Sequence, residues 1–326
     1  MSARGAAGRR AARGASRPAS RAASRAASRP AAVTPALLRR WAIPEPDAAG
    51  DKESRGRVLV VGGAPSLPGA VVLAATAALR AGAGKLQIAT GRGIATAVGI
   101  AVPECLMVAL PETRAGAVAA GAARRLRQHV AHTQALLVGP GLTGDPGTLL
   151  AALVRQVERA TVVLDAGALA PLARRRSLLH RLRGRAVITP HVAEMATLLG
   201  LEPDEVEAAP LRVARDAARE LRAVVALKGA TTIIAAPDGR AWAYAAGDVG
   251  LATSGSGDTL AGIVAGLAAR GCEPAQAAVW GVHVHGAAGN ALGRRVGRMG
   301  FLARELLAEV PRVLQRLDSR RRRGGR

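Results

Sequence analysis

The chain has 326 residues, of which 49% are apolar, 21% charged and only 2% aromatic, and its net charge is +23. That much apolar chain suffices for one large α/β domain, while three Trp, one Tyr and one Phe are too few for a stacking platform on single-stranded nucleic acid. Two cysteines, Cys105 and Cys272, exclude a disulfide scaffold or a cysteine-rich zinc site, and no apolar run approaches the ~20 residues of a membrane helix.

Much of the charge lies at the ends. Residues 1–32 carry eight arginines and no acid, and residues 319–326 carry five more. Only Lys52, Lys85 and Lys228 among the 46 basic residues are lysines. So uniform an Arg-for-Lys bias, beside so much alanine, reads as compositional drift rather than as a set of phosphate contacts. Residues 1–32 repeat Ala-Ser-Arg every four residues and hold no bulky apolar side chain beyond Met1. Such a segment cannot offset its ordering entropy, so 1–32 and 319–326 are expected to be disordered tails. The first also has the composition of a transit peptide. Residues 33–318 are expected to form a single domain.

From Arg57 onward, short apolar runs alternate with Ala-rich stretches. Strands are predicted at Arg57–Val61, Lys85–Ala89, Cys105–Ala109, Ala135–Val138, Thr161–Asp165, Ala186–Thr189 and Val224–Leu227. Between them, helices are predicted at Gly69–Arg80, Ala115–His129 and Asp145–Gln156. Thr232–Ala236 and Ala241–Tyr244 form an antiparallel hairpin near the sheet's edge. Helices at Gly257–Arg270, Pro274–Gly293 and Phe301–Leu317 complete the chain. The pattern predicts an α/β fold with a mainly parallel central sheet covered by helices on both faces.

Ligands of such sheets bind beyond the carboxyl ends of the strands. Thr253-Ser254-Gly255-Ser256-Gly257-Asp258 is a small, glycine-rich turn opening into a helix, a ready anion site. Asp258 is then placed to act as a base on a hydroxyl being phosphorylated, or else it simply caps the helix. Lys228 ends a buried strand before Gly229, where it either contacts a nucleotide phosphate or snorkels to water. Thr189-Pro190-His191 leads into another helix, with His191 facing the crevice and Glu194 one turn later on the same face. Asp165 is a candidate for approaching a metal or phosphate, with loop capping as the alternative. His283 and His285, mid-helix in an apolar stretch, read as packing residues. The turns at Gly62-Gly63 and Gly139-Pro140-Gly141 match neither a Rossmann fingerprint nor a Walker A loop.

In order and spacing these residues resemble the ADP-dependent (S)-NAD(P)H-hydrate dehydratases of the ribokinase-like superfamily, from about Val33 to Leu317. The resemblance is carried by Asp51–Gly56, Val60–Gly63 with Pro68–Ala70, Arg80–Gly84, Val138–Gly141, Thr189–His191, Lys228–Ala230 and Ser254–Asp258. It implies an enzyme that dehydrates the S epimer of hydrated NADH or NADPH (NADHX, NADPHX) using ADP, giving the normal cofactor, AMP and phosphate. By similarity, Ala70, Gly141, His191 and Asp258 contact the hydrated dinucleotide. Lys228, Gly229, Ala230, Thr231, Thr232 and Gly257 contact the adenine nucleotide. Gly255, Ser256 and Gly257 form the anion hole, Asp258 is the catalytic base, and Glu194 is the candidate for holding Mg²⁺, through water. A homotetramer in the cytoplasm, with a separate epimerase in the same pathway, is expected.

The departures are small. Relatives read Thr-Gly-Gly-Thr-Gly-Asp where this chain has Thr253–Asp258, and often carry a second Asp where Gly167 stands. The nearest alternative is a vitamin-precursor kinase of the superfamily that stops at the phosphorylated alcohol, but such kinases commonly have Thr-Pro-Asn in place of Thr189-Pro190-His191, which favours the dehydratase. A nucleic-acid-binding protein using the arginine tails is the other, though nucleic acid is not the expected partner.

Overall fold

The computed structural model describes residues 29–45 and 51–324, with side chains through Leu317. Its strands are β1 (Ala31–Ala32), β2 (Arg57–Val61), β3 (Lys85–Gly91), β4 (Cys105–Leu110), β5 (Ala135–Val138), β6 (Thr161–Leu164), β7 (Ala186–Ile188), β8 (Val224–Leu227), β9 (Thr232–Ala235) and β10 (Ala241–Tyr244). They join in one sheet in the order β1-β10-β9-β8-β7-β6-β5-β2-β3-β4. All neighbours are parallel except that β9 runs antiparallel to both β8 and β10.

The helices are α1 (Pro35–Arg40), α2 (Pro68–Arg80), α3 (Arg92–Ala101), α4 (Arg127–Ala131), α5 (Gly147–Gln156), α6 (Val192–Leu199), α7 (Pro203–Ala208), α8 (Pro210–Leu221), α9 (Ser256–Ala269), α10 (Pro274–Arg295) and α11 (Ala303–Gly324). Strand residues alternate between two cores. Val58, Val60, Leu137, Val163 and Val187 pack with α2, α9, α10 and α11, and Leu59, Val61, Leu136, Val138 and Val162 pack with α5, α6 and α8. Runs that are apolar at every position are therefore what a sheet covered on both faces requires. No described helix is long and apolar enough to cross a membrane.

Three expectations are corrected. Residues 115–129 do not form one helix: Gly116 (φ +78°) closes a turn onto Thr113, and a 3₁₀ segment at Ala120–Leu126 leads into α4. Alanine content alone did not outweigh the glycines at 116 and 121. Ala31 and Ala32, expected in the tail, instead pair with Trp242 and Ala243 of β10. Trp41 holds that segment down by stacking on Trp242 at 5.5 Å and accepting the Trp280 indole N–H at 2.8 Å. At the other end the backbone is helical to Gly324, since arginine is a good helix former and no breaker intervenes. The remainder of both predicted tails lies outside the described residues.

Helix α9 owes its position to two small residues. A Cβ on Gly262 would run into the Ala74 carbonyl of α2, and one on Gly266 into that of Ala78, with Ala77 and Ala81 beside them. The two backbones thus touch directly, which fixes where the first turn of α9 meets the strand ends. Gly262→Ala should lower stability by about 1–3 kcal/mol through overpacking, although alanine favours a helix by about 1 kcal/mol. Gly99→Ala in α3, where the new methyl meets only Met107 at 3.8 Å, should instead raise it by up to about 1 kcal/mol. Thermal melts of the pair check this, and a stabilised Gly262→Ala protein would refute the close contact.

Candidate active site

The loops after β2 and β5 meet the start of α2. Gly63 (φ +81°) donates its N–H to the Pro140 carbonyl at 2.8 Å. A Cβ on Gly141 (φ +69°) would lie 3.1 Å from the Ala70 Cβ and 3.2 Å from the Gly63 Cα. Ala70 and Gly141, far apart in sequence, therefore come together where these loops meet.

Next along the strand ends is a cluster of charges. Asp165, which follows β6 and is 2% exposed, accepts bonds from Thr189 Oγ1 at 2.7 Å and Lys228 Nζ at 3.1 Å. Glu194 Oε2 is 3.7 Å from the same ammonium. Lys228 donates its backbone N–H to the Pro190 carbonyl at 2.8 Å and pairs with His191 as an isolated parallel bridge. Burial works against the charged Lys228, but Asp165 and Glu194 outweigh it and hold its pKa above the ordinary value. Lys228 thus points at carboxylates, not at bulk water, and Asp165 is its fixed counter-ion. Gly229, Ala230 and Thr231 form an exposed rim beyond it, and the half-buried Thr232 opens β9.

Helix α9 starts beside this cluster. Its N-cap is Gly255 (φ +84°), with no side chain capping it, so Asp258 is not the cap. A residue larger than glycine would be strained there and would strike Leu73 Cδ1 at 2.5 Å. A Cβ on Gly257 would sit 3.2 Å from Lys228 Nζ, so the ammonium and the positive end of the helix act on the same space. The Ser256 N–H is spent on the Thr253 carbonyl at 3.2 Å. Among the described residues the Gly255 and Gly257 amides have no such partner, while Ser256 offers its hydroxyl. The Asp258 pKa is pushed up to about 6, by burial first and then by the Asp165 charge, with Lys228 opposing the rise. Such an arrangement can hold an anion beside a carboxyl group of raised pKa.

His191 lies one residue before α6 rather than in its first turn. Its Nδ1 accepts the Glu194 N–H at 3.3 Å, and its own N–H donates to Glu194 Oε2 at 2.8 Å, a reciprocal capping box. The ring is 54% exposed and lines, with Glu194, Ala166, Leu169 and Ala193, an open pocket of about 210 Å³. Among the described residues no three His, Cys, Asp or Glu side chains converge on a metal position. At Gly167 a Cβ would run into the Leu142 carbonyl, so the loop is closed where relatives often carry a second Asp. Magnesium, however, commonly takes only one or two carboxylates, with phosphates and water completing its shell. Glu194, whose Oε1 is outside the contacts just described, suits a water-bridged role.

One side chain at the site escaped the sequence reading. His285 was expected only to pack, yet its Nε2 lies 2.9 Å from Ser256 Oγ. His283 does pack, edge-on against Tyr244 at 5.5 Å. The spacing held the signal: residues two apart on a helix face different ways, so the two histidines could not share one role.

The sequence profile of the NAD(P)H-hydrate dehydratase family matches residues 58–312. An ADP-dependent (S)-NAD(P)H-hydrate dehydratase from Xanthomonas campestris is 49% identical over 287 residues, 87% of this chain and 96% of that protein. A bifunctional NAD(P)H-hydrate repair enzyme from Moorella thermoacetica is 44% identical over 86% of this chain, which spans 53% of it. The crystal structure of the ADP/ATP-dependent NAD(P)H-hydrate dehydratase from Bacillus subtilis, co-crystallised with ATP/Mg²⁺, superposes with a TM-score of 0.71 at 30% identity, over 88% of this chain and 98% of that one. With its ribokinase-like sheet and the motifs of its strand ends in place, the chain belongs to the NAD(P)H-hydrate dehydratase family.

Proposed function

We propose that this chain dehydrates the S epimer of hydrated NADH and NADPH at the expense of ADP, releasing AMP and phosphate. The observation that carries this reading is Asp258: a base with a pKa near 6, three residues into a helix whose glycine cap leaves amides for a phosphoryl group. Hydroxide is a poor leaving group. Transfer of the terminal phosphoryl of ADP to the hydroxyl breaks the bridging P–O bond, releases AMP and makes a good leaving group. Phosphate then leaves, and the ring double bond re-forms as the neighbouring ring carbon gives up a proton to phosphate or water. Asp258 takes the hydroxyl proton as the oxygen attacks. The Gly255 and Gly257 amides and Lys228 meet the charge on the transferring phosphoryl. Lys228 to Thr232 hold the adenine nucleotide, and Ala70, Gly141 and His191 hold the hydrated dinucleotide. Glu194 would hold Mg²⁺ through water, and the ion would supply charge neutralisation to the phosphates. The reading includes a homo-oligomeric, cytoplasmic enzyme and a separate epimerase that converts the other epimer.

Asp258→Asn should lower kcat by roughly 10²–10⁴-fold, the usual contribution of a general base. A carboxyl raised from 3.8 to about 6 on folding adds stability while protonated and costs stability once ionised. The variant should therefore melt no lower than wild type at pH 8, and higher if anything. Turnover followed by recovered absorbance of reduced nicotinamide, with a melting curve, checks both. Wild-type turnover in the variant would return Asp258 to a structural role, and a stable phosphorylated alcohol as product would make the protein a kinase.

In wild type, kcat/KM should fall about tenfold per unit below pH 6 and level off above it, because the ionised carboxylate is the active form. A flat profile between pH 5 and 7 would exclude Asp258 as the base.

His191→Asn keeps a good N-cap residue, so folding should not change. The KM for hydrated NADH should rise about tenfold, the worth of one hydrogen bond of ~1.4 kcal/mol, with ADP affinity within twofold of wild type. Calorimetry with each ligand checks this, and equal losses for both would misplace the residue.

A further inference from the structure

The mechanism above leaves the Ser256–His285 pair without a task. Ser256 is the first residue of α9 and is 4% exposed. Its N–H is already bonded to Thr253, so it can help an anion at the cap only through its hydroxyl. That hydroxyl is a rotor, able to point its proton or its lone pairs at the same spot. An anion is attracted by the first and repelled by the second. What decides between them is the imidazole 2.9 Å away on α10. Burial pushes the His285 pKa down to about 4, against a hydrogen bond with the Ser256 backbone that raises it and with the Lys228 charge lowering it further, so the ring is neutral near pH 7. A neutral ring carries its proton on one nitrogen only.

We infer that His285 is a positioning residue: its Nε2–H donates to Ser256 Oγ and thereby turns the Ser256 O–H toward the anion held at the cap of α9. With the other tautomer Ser256 would donate to the imidazole and turn oxygen lone pairs on the incoming phosphoryl. The inference rests on the reading that this cap holds the transferring phosphoryl. It gives the residue at 256 a defined reason to carry a hydroxyl, and α10 a direct part in catalysis through α9.

Four variants and one spectrum test it. Ser256→Ala should lower kcat on the order of 10²-fold, as loss of one oxyanion donor does. His285→Ala should cost about as much, with the KM for hydrated NADH unchanged. The double variant should be no slower than either single one, because the two residues act as a unit. His285→Gln, whose amide can still donate, should recover most of the rate. Nitrogen NMR of the wild-type ring with ADP bound should show the proton on Nε2. Wild-type kcat in His285→Ala, additive losses in the double variant, or a ring protonated on Nδ1 would each overturn the inference. If His285→Ala melts below the assay temperature, the Gln variant and the spectrum still decide. If wild type fails to convert hydrated NADH with ADP, the dehydratase reading falls, whereas the spectrum with ADP alone still judges the positioning.

Discussion

The site is built around one half-buried ammonium. Lys228 lies 3.1 Å from Asp165 and 3.7 Å from Glu194, and its charge also reaches Asp258. Three carboxylates in so small a space would repel one another strongly without it. An ion pair this buried contributes little net stability, because desolvation offsets most of the attraction. On the proposed reading its value is functional. Lys228 offsets the charge of Asp165 and Glu194, and leaves Asp258 raised but still ionisable near neutrality. A stronger counter-charge would make Asp258 too weak a base, and none would keep it protonated.

The geometry that sets this balance comes from backbone contacts, not from the ion pairs. Asp165, Pro190-His191 and Lys228 each follow a parallel strand, so the sheet register brings them side by side. Asp258 arrives from the opposite direction on α9, whose height is fixed by Gly262 and Gly266 against Ala74 and Ala78 of α2. A core of Ala and Gly permits that close approach and supplies rigid placement without bulky side chains. The scarcity of aromatics follows the same plan. The three tryptophans sit together at the β10 edge, where Trp41 stacks on Trp242 and Trp280 bonds to Trp41, and they secure the N-terminal segment.

All the strands but β1 were legible in the sequence, because parallel strands under helices are continuous apolar runs, and most end in a glycine, a charge or a Thr-Pro pair. The antiparallel pairing of β9 with β10 was legible from its Pro-Asp-Gly turn, while its pairing with β8 was not. Residues 115–129 misled because alanine favours a helix without saying whether a glycine will interrupt it. At the site, Lys228 stood out as one of three lysines and Asp258 by its glycine-rich turn. The partner of each remained hidden, since sequence position does not tell which side chains share a cavity. Asp165 as a counter-ion and His285 as a bonded ring are products of tertiary placement.

The central claim is that Lys228 and its carboxylates poise Asp258 as a base. The direct measurement is the pH titration of the Asp258 side-chain carboxyl carbon by NMR, in wild type and in Lys228→Met. Removing the ammonium removes the one neighbouring charge that lowers the Asp258 pKa. The account predicts a midpoint at about 6 in wild type and a clearly higher one in the variant. A wild-type midpoint near the ordinary 3.8, or one that Lys228→Met leaves in place, would contradict it.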